Sequence, residues 1–216
     1  MTLPLLLRNR LADLILDALH DGAARRGLEA VAAVCADPRA LDPAVPPPEG
    51  FPAELFDRRV DGWRIRSAFG PHAAAFGARA ARAARALADR PLAPADPPRP
   101  VALAEAATLF EAGLYFETHE VLEPHWMRAD GEEREALQGL IQVAVGFQHL
   151  ANRNLDGARA LLRDGATKLA GHRLDGRATS AFAAEVARCL GEIIALGADA
   201  PARFDWSRVP RFPAGD

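Results

Sequence analysis

One segment constrains the fold more than any other, the run EREALQGLIQVAVGFQHLANR at positions 133–153. Its residues are apolar on nearly every side of a helical wheel, and it contains no proline. A helix with this pattern is buried by neighbours on all sides. We therefore expect a long central helix with other helices packed around it, and an all-α fold.

The sequence on both sides of this segment has helical periodicity as well. We expect a helical core domain over residues 101–200, built from two antiparallel helical hairpins with tetratricopeptide-like packing. Residues 201–216 contain three prolines and are predicted to form an irregular tail.

Residues 1–100 are predicted to form an N-terminal helical extension. Helices are expected at about 3–20 and 23–36, and proline-rich connections follow at 42–52 and 91–100. Around Asp61 and Gly62 the pattern predicts either a small hairpin or an irregular segment.

Charge and apolar content bear on the partners. The chain has 26 basic and 29 acidic residues, a net charge of −3, so it lacks the positive excess that phosphate contacts require, and we expect no nucleic-acid partner. No run approaches the roughly 20 apolar residues of a membrane span, and the N-terminal apolar stretch is interrupted by charges, unlike a signal peptide. We therefore expect a cytoplasmic protein without a membrane partner.

The stretch FETHEVLEPHW, residues 116–126, carries the polar residues of greatest chemical interest. On a helical wheel, His119 and Glu123 fall within an aromatic stripe formed by Tyr115 and Trp126. Glu120 lies at the edge of that stripe, and Glu117 points nearly the opposite way. Pro124 is expected to kink or end the helix, because it cannot donate a hydrogen bond to the carbonyl of residue 120.

The long helix carries a matching polar line formed by Gln138, Gln142 and His149. A short turn at 127–133 makes the two helices antiparallel, which pairs Glu123 with the level of Gln138 and His119 with that of Gln142. His149 then lies roughly 10 Å further along the axis. On an adjacent face, two glycines seven residues apart would let a neighbouring backbone approach closely, Gly139 and Gly146.

Three interpretations of these residues remain open. The first is a divalent metal site with His119, Glu120, Glu123 and His149 as ligands. The second is acid–base catalysis by Glu120 and Glu123. The third is a non-catalytic helical module in which a hydrogen-bonded seam, formed by His119, Glu123, Gln138 and Gln142, fixes the register of the helices. Such a module would bind a protein or a small molecule in a groove beside Tyr115 and Trp126.

Two segments together resemble a family known as domain of unknown function 309: LFEAGLYFETHEVLEPHW and QGLIQVAVGFQHLANRNLDGARALL. The resemblance covers about residues 110–162 and implies an all-α domain. It also implies activity as a metal-dependent hydrolase, since the family carries that label as a prediction. The signature positions that it matches are Tyr115, His119, Glu120, Glu123, Trp126, Gln142 and His149. Apolar surface on the last predicted helix would also allow a homodimer.

Overall fold

The computed structural model describes residues 3–213, which form two compact units with a boundary between Pro97 and Pro98. Within residues 3–97, the N-terminal unit contains three α-helices: α1 (Leu5–His20), α2 (Gly22–Ala36) and α3 (Ala73–Leu87). Between α2 and α3, strands β1 (Phe56–Arg59) and β2 (Gly62–Ile65) pair antiparallel, with Phe56 opposite Ile65. The segment around Asp61 and Gly62 is therefore a hairpin.

The C-terminal unit is built from α4 (Arg99–Glu111), α5 (Tyr115–Arg128), α6 (Gly131–Ala151), α7 (Leu155–Leu169), α8 (Thr179–Leu196) and the short α9 (Ala200–Arg203). A minimal hairpin of β3 (Arg173–Leu174) and β4 (Arg177–Ala178) links α7 to α8. The predicted all-α class is confirmed, since the strands of both units are short two-stranded pairs. Within residues 3–213, no helix combines the length and the apolar character needed to cross a bilayer.

Two tight turns fold α4–α5 and α6–α7 into helical hairpins. Gly113 adopts a positive φ of 70°, and its backbone N–H donates to the carbonyl of Phe110. Helices commonly end with a residue in the left-handed conformation at this position, and glycine adopts that conformation without strain. At the end of α6, Arg153 takes the left-handed conformation instead, and the side chain of Asn154 caps α7 by accepting from the Gly157 N–H.

Helix α6 is the centre of this unit, as its apolar pattern predicts. Its buried residues include Leu137, Leu140, Val143, Phe147 and Leu150. It meets α7 at very short range, because both helices carry glycine at the crossing. A methyl group added at Gly139 would lie 2.8 Å from the Leu169 side chain, and one at Gly146 would lie 2.8 Å from Leu162. The close approach expected at these two glycines is confirmed.

An aromatic cluster closes the other side of α6. Phe110 contacts the rings of Phe147, Phe182 and Phe212, at centroid distances of 6.0, 5.9 and 5.6 Å. Phe204 and Phe212 come from the segment after α8 and are each only 4% exposed. This segment has little regular structure beyond α9 and a 3₁₀ turn at Trp206–Arg208, yet it completes the hydrophobic core.

Candidate functional site

Helix α5 runs without interruption through Pro124 and ends at Arg128. The helix therefore does not end at the proline, which was one of the two expected outcomes, and Glu123 lies in the same helix as His119. Arg134 supports the end of the helix by donating to the carbonyls of Trp126 and Ala129, at 2.9 and 3.2 Å. Carbonyls at the end of a helix lack the usual donor four residues further on, and Arg134 supplies one here. The Trp126 carbonyl also accepts from the Ala129 N–H.

The structure brings together three predicted site residues of α5, His119, Glu120 and Glu123, which we call the His–Glu group. Each offers one ligand atom, and these three atoms all lie within 4.8 Å of one another. Nδ1 of His119 is 3.1 Å from Glu120 Oε1, and Nε2 is 3.8 Å from Glu123 Oε1. One nitrogen and two oxygens thus converge on one stretch of a single helix.

The His–Glu group is open to solvent on one side. The side chains of His119, Glu120 and Glu123 are 24%, 34% and 42% exposed. Glu117, in the same helix, is completely buried. The sequence did not indicate Glu117 as a site residue, because the helical wheel placed it away from the aromatic stripe. The spacing of residues within α5 does not predict that Glu117 is buried.

His149, predicted as a further metal ligand, lies outside the His–Glu group. Its Nδ1 is 2.6 Å from the Asn154 side-chain nitrogen. Because the oxygen of the same Asn154 amide accepts from Gly157, the amide nitrogen must donate and Nδ1 of His149 must accept. The contacts of His149 are therefore those of a residue that stabilises the α6–α7 turn.

The predicted seam between α5 and α6 is also corrected by the structure. The side-chain oxygen of Gln142 is buried, and within residues 3–213 it has no hydrogen-bond partner. A bond from His119 to this oxygen, as one form of the expected His119–Gln142 contact, is therefore absent. The polar contacts of His119 are with carboxylates of its own helix. Gln138 is half-buried on α6.

The two aromatic residues predicted to line a ligand groove, Tyr115 and Trp126, belong to the packing of the unit. Tyr115 is 6% exposed, and its ring lies 5.3 Å from that of Phe110 and 5.6 Å from that of Phe147. Trp126 is half-buried, and the guanidinium of Arg134 covers its ring at 4.3 Å from the centroid. Sequence reasoning missed Arg134, since its partners depend on how α5 and α6 are arranged in space.

A second charged cluster ties the beginning of α4 to the β3–β4 turn and to α6. Arg99 Nε lies 2.6 Å from Asp175 Oδ2, and its Nη1 lies 2.6 Å from Glu133 Oε2. The hydrogen bond from Arg99 lowers the pKa of the Asp175 carboxyl below its usual value, and the same bond raises the pKa of Arg99. The contacts between Arg99 and the two carboxylates account for the charges of the cluster, so we regard it as structural.

Comparison with known proteins gives a match to one family model, whereas no curated protein and no solved structure matches the chain. The family-model match covers residues 103–161, which lie in the C-terminal unit, extend from α4 into α7 and contain all three members of the His–Glu group. The family is described as Domain of unknown function (DUF309), and the match confirms over this segment the resemblance that the sequence motifs indicate.

Proposed function

We propose that the protein binds a divalent metal ion at the His–Glu group and uses it to hydrolyse a substrate. The observation that carries this proposal is the convergence of one imidazole nitrogen and two carboxylate oxygens within 4.8 Å. The spacing of one and four residues along α5 provides this convergence locally, without help from a distant part of the chain.

The donor set fits a divalent ion. Imidazole nitrogen and carboxylate oxygen bind zinc at about 2.0–2.2 Å, so neighbouring donors of a tetrahedral site lie about 3.4 Å apart. The three donor atoms of the His–Glu group, one from each residue, lie within 4.8 Å of one another, so side-chain rotations that bring them closer would form the site. Carboxylate-rich sets of this kind also suit manganese and magnesium.

The solvent exposure of the group agrees with a catalytic rather than a closed structural site. Catalytic metal sites keep at least one coordination position open for water or substrate, whereas structural sites fill all positions with side chains. A divalent ion held here would polarise a substrate oxygen or acidify a water molecule. A carboxylate oxygen of Glu120 or Glu123 that is not bound to the ion would accept the proton of the attacking water as a general base.

The experiment is a calorimetric titration of metal-free protein with Mn²⁺ and with Zn²⁺. We expect binding of one ion per chain, weakened more than about tenfold in both His119→Ala and Glu123→Gln. Glu111→Gln is the matched control, because it removes the same charge from an exposed position at the end of α4 and should bind like the wild type.

Hydrolysis is tested on the same samples with p-nitrophenyl acetate and bis(p-nitrophenyl) phosphate. The proposal expects a rate that depends on added metal and is lost in His119→Ala. Absence of saturable binding of either ion up to millimolar concentration would refute the metal site. Binding without any metal-dependent hydrolysis of either compound would refute the hydrolytic activity and leave a metal-binding protein.

A further inference from the structure

The two ring nitrogens of His119 face different carboxylates. Nδ1 is the nitrogen next to Glu120 Oε1, at 3.1 Å, and Nε2 is the nitrogen next to Glu123 Oε1, at 3.8 Å. A neutral imidazole carries its proton on one nitrogen and a lone pair on the other. The two carboxylates are therefore not equivalent partners of this ring.

An imidazole binds a metal ion through the nitrogen that holds the lone pair. In protein metal sites, the other nitrogen usually donates its proton to a carboxylate or carbonyl, which fixes the orientation of the ring. Glu123, four residues after His119, lies on nearly the same face of α5, whereas Glu120 is offset by about 100°. The ion is therefore better placed between Nε2 and Glu123, and Glu120 is better placed as the acceptor for Nδ1–H.

We propose that Glu120 is a positioning residue: it accepts Nδ1–H of His119 and thereby presents Nε2, together with Glu123, to the metal ion. This inference rests on the proposed function, and it divides the His–Glu group into two ligands and one orienting carboxylate. The remaining coordination positions belong to water and substrate, which agrees with the partial exposure of all three side chains.

The position of the proton is measured directly by long-range ¹H–¹⁵N correlation on ¹⁵N-histidine-labelled protein. The signals of His119 are identified by their loss in His119→Gln. On addition of Zn²⁺ we expect the Nε2 resonance to shift to the metal-bound range while Nδ1 keeps its proton. A metal-induced shift at Nδ1 would overturn the inference and leave the metal site standing. No metal-induced shift at either nitrogen would overturn both.

Affinity of the variants gives the second readout. Glu120→Ala should weaken Zn²⁺ binding about 10–100-fold, the range found when an orienting partner of a metal ligand is removed. Glu120→Gln should recover much of this loss, because its carboxamide oxygen still accepts Nδ1–H. Glu123→Gln should show no comparable recovery over Glu123→Ala. Equal losses in Glu120→Gln and Glu123→Gln would identify Glu120 as a direct ligand and refute the positioning role.

Discussion

Replacing Gly165 by alanine tests the packing on which the C-terminal unit depends. Gly165 lies on α7 where it crosses α6, and a Cβ there would be 2.8 Å from the carbonyl oxygen of Gly139 and 3.0 Å from the backbone nitrogen of Val143. Both neighbours are backbone atoms of a helix and cannot rotate away. Ordinary contact begins at 3.4 Å, so the helices would have to separate by about 0.6 Å at this point.

The magnitude follows from two opposing contributions. Overpacking of a close-packed interior typically costs about 1–3 kcal/mol, while alanine in place of glycine within a helix gains up to about 1 kcal/mol. Because the clash is with backbone atoms, we take the overpacking cost of Gly165→Ala as about 2–3 kcal/mol, which after the helix gain of about 1 kcal/mol leaves a loss of about 1–2 kcal/mol in the free energy of unfolding. Gly191→Ala is the matched control: this glycine is exposed within α8, nothing lies within 4 Å of its Cβ position, and the substitution should stabilise by up to about 1 kcal/mol.

The assay is urea unfolding followed by tryptophan fluorescence in a Trp63→Phe background. Trp63 belongs to the N-terminal unit, so the remaining Trp126 and Trp206 report on the C-terminal unit alone. If Gly165→Ala leaves the free energy of unfolding unchanged from that of the Trp63→Phe protein, or raises it as much as Gly191→Ala does, the helices are able to move apart at no cost. The argument for obligatory close packing would then be refuted.

Two further predictions concern charged contacts of the same unit. Arg134→Met should destabilise the unit by about 1–2 kcal/mol in the same assay, because it removes both the cation–π contact with Trp126 and the hydrogen bonds to the last carbonyls of α5; unchanged stability would show that these contacts contribute nothing. The pKa of Asp175 is lower in the folded state, so its contribution to stability is present above the unfolded value of about 3.9 and is lost as the pH falls through the folded value. The urea midpoint of the wild type should therefore fall more between pH 5 and pH 3 than that of Asp175→Asn, and parallel profiles would contradict this linkage.

Local features of the sequence predicted much of this unit. The apolar pattern of residues 133–153 predicts α6, and Gly139 and Gly146 indicate a face for close packing, because both depend only on spacing along one helix. Gly165 was not identified, since its importance comes from lying opposite Gly139 across two helices. Periodicity within one segment holds no information about which glycines will meet.

The difference between contacts within one helix and contacts between helices also explains which site predictions agree with the structure. His119, Glu120 and Glu123 share one helix, so their convergence follows from residue spacing. Gln142 was paired with His119 by an assumed register between helices, and its buried side-chain oxygen has no hydrogen-bond partner within residues 3–213. The same register placed His149 roughly 10 Å beyond His119, and the structure gives His149 a partner in its own turn. Tyr115 looked accessible within an aromatic stripe, but rings from distant segments bury it.

The position of Phe212 in the aromatic cluster has a consequence for how the unit folds during synthesis. Its ring packs on Phe110, which precedes it by about a hundred residues, and on Phe182. Contacts of such large sequence separation form late, because a long loop must close first. While the ribosome is still extending the chain towards residue 212, the α4–α5 hairpin would present an uncovered aromatic surface of the kind that chaperones recognise. The segment with the least regular sequence pattern would then determine when the nascent unit stops being a chaperone client.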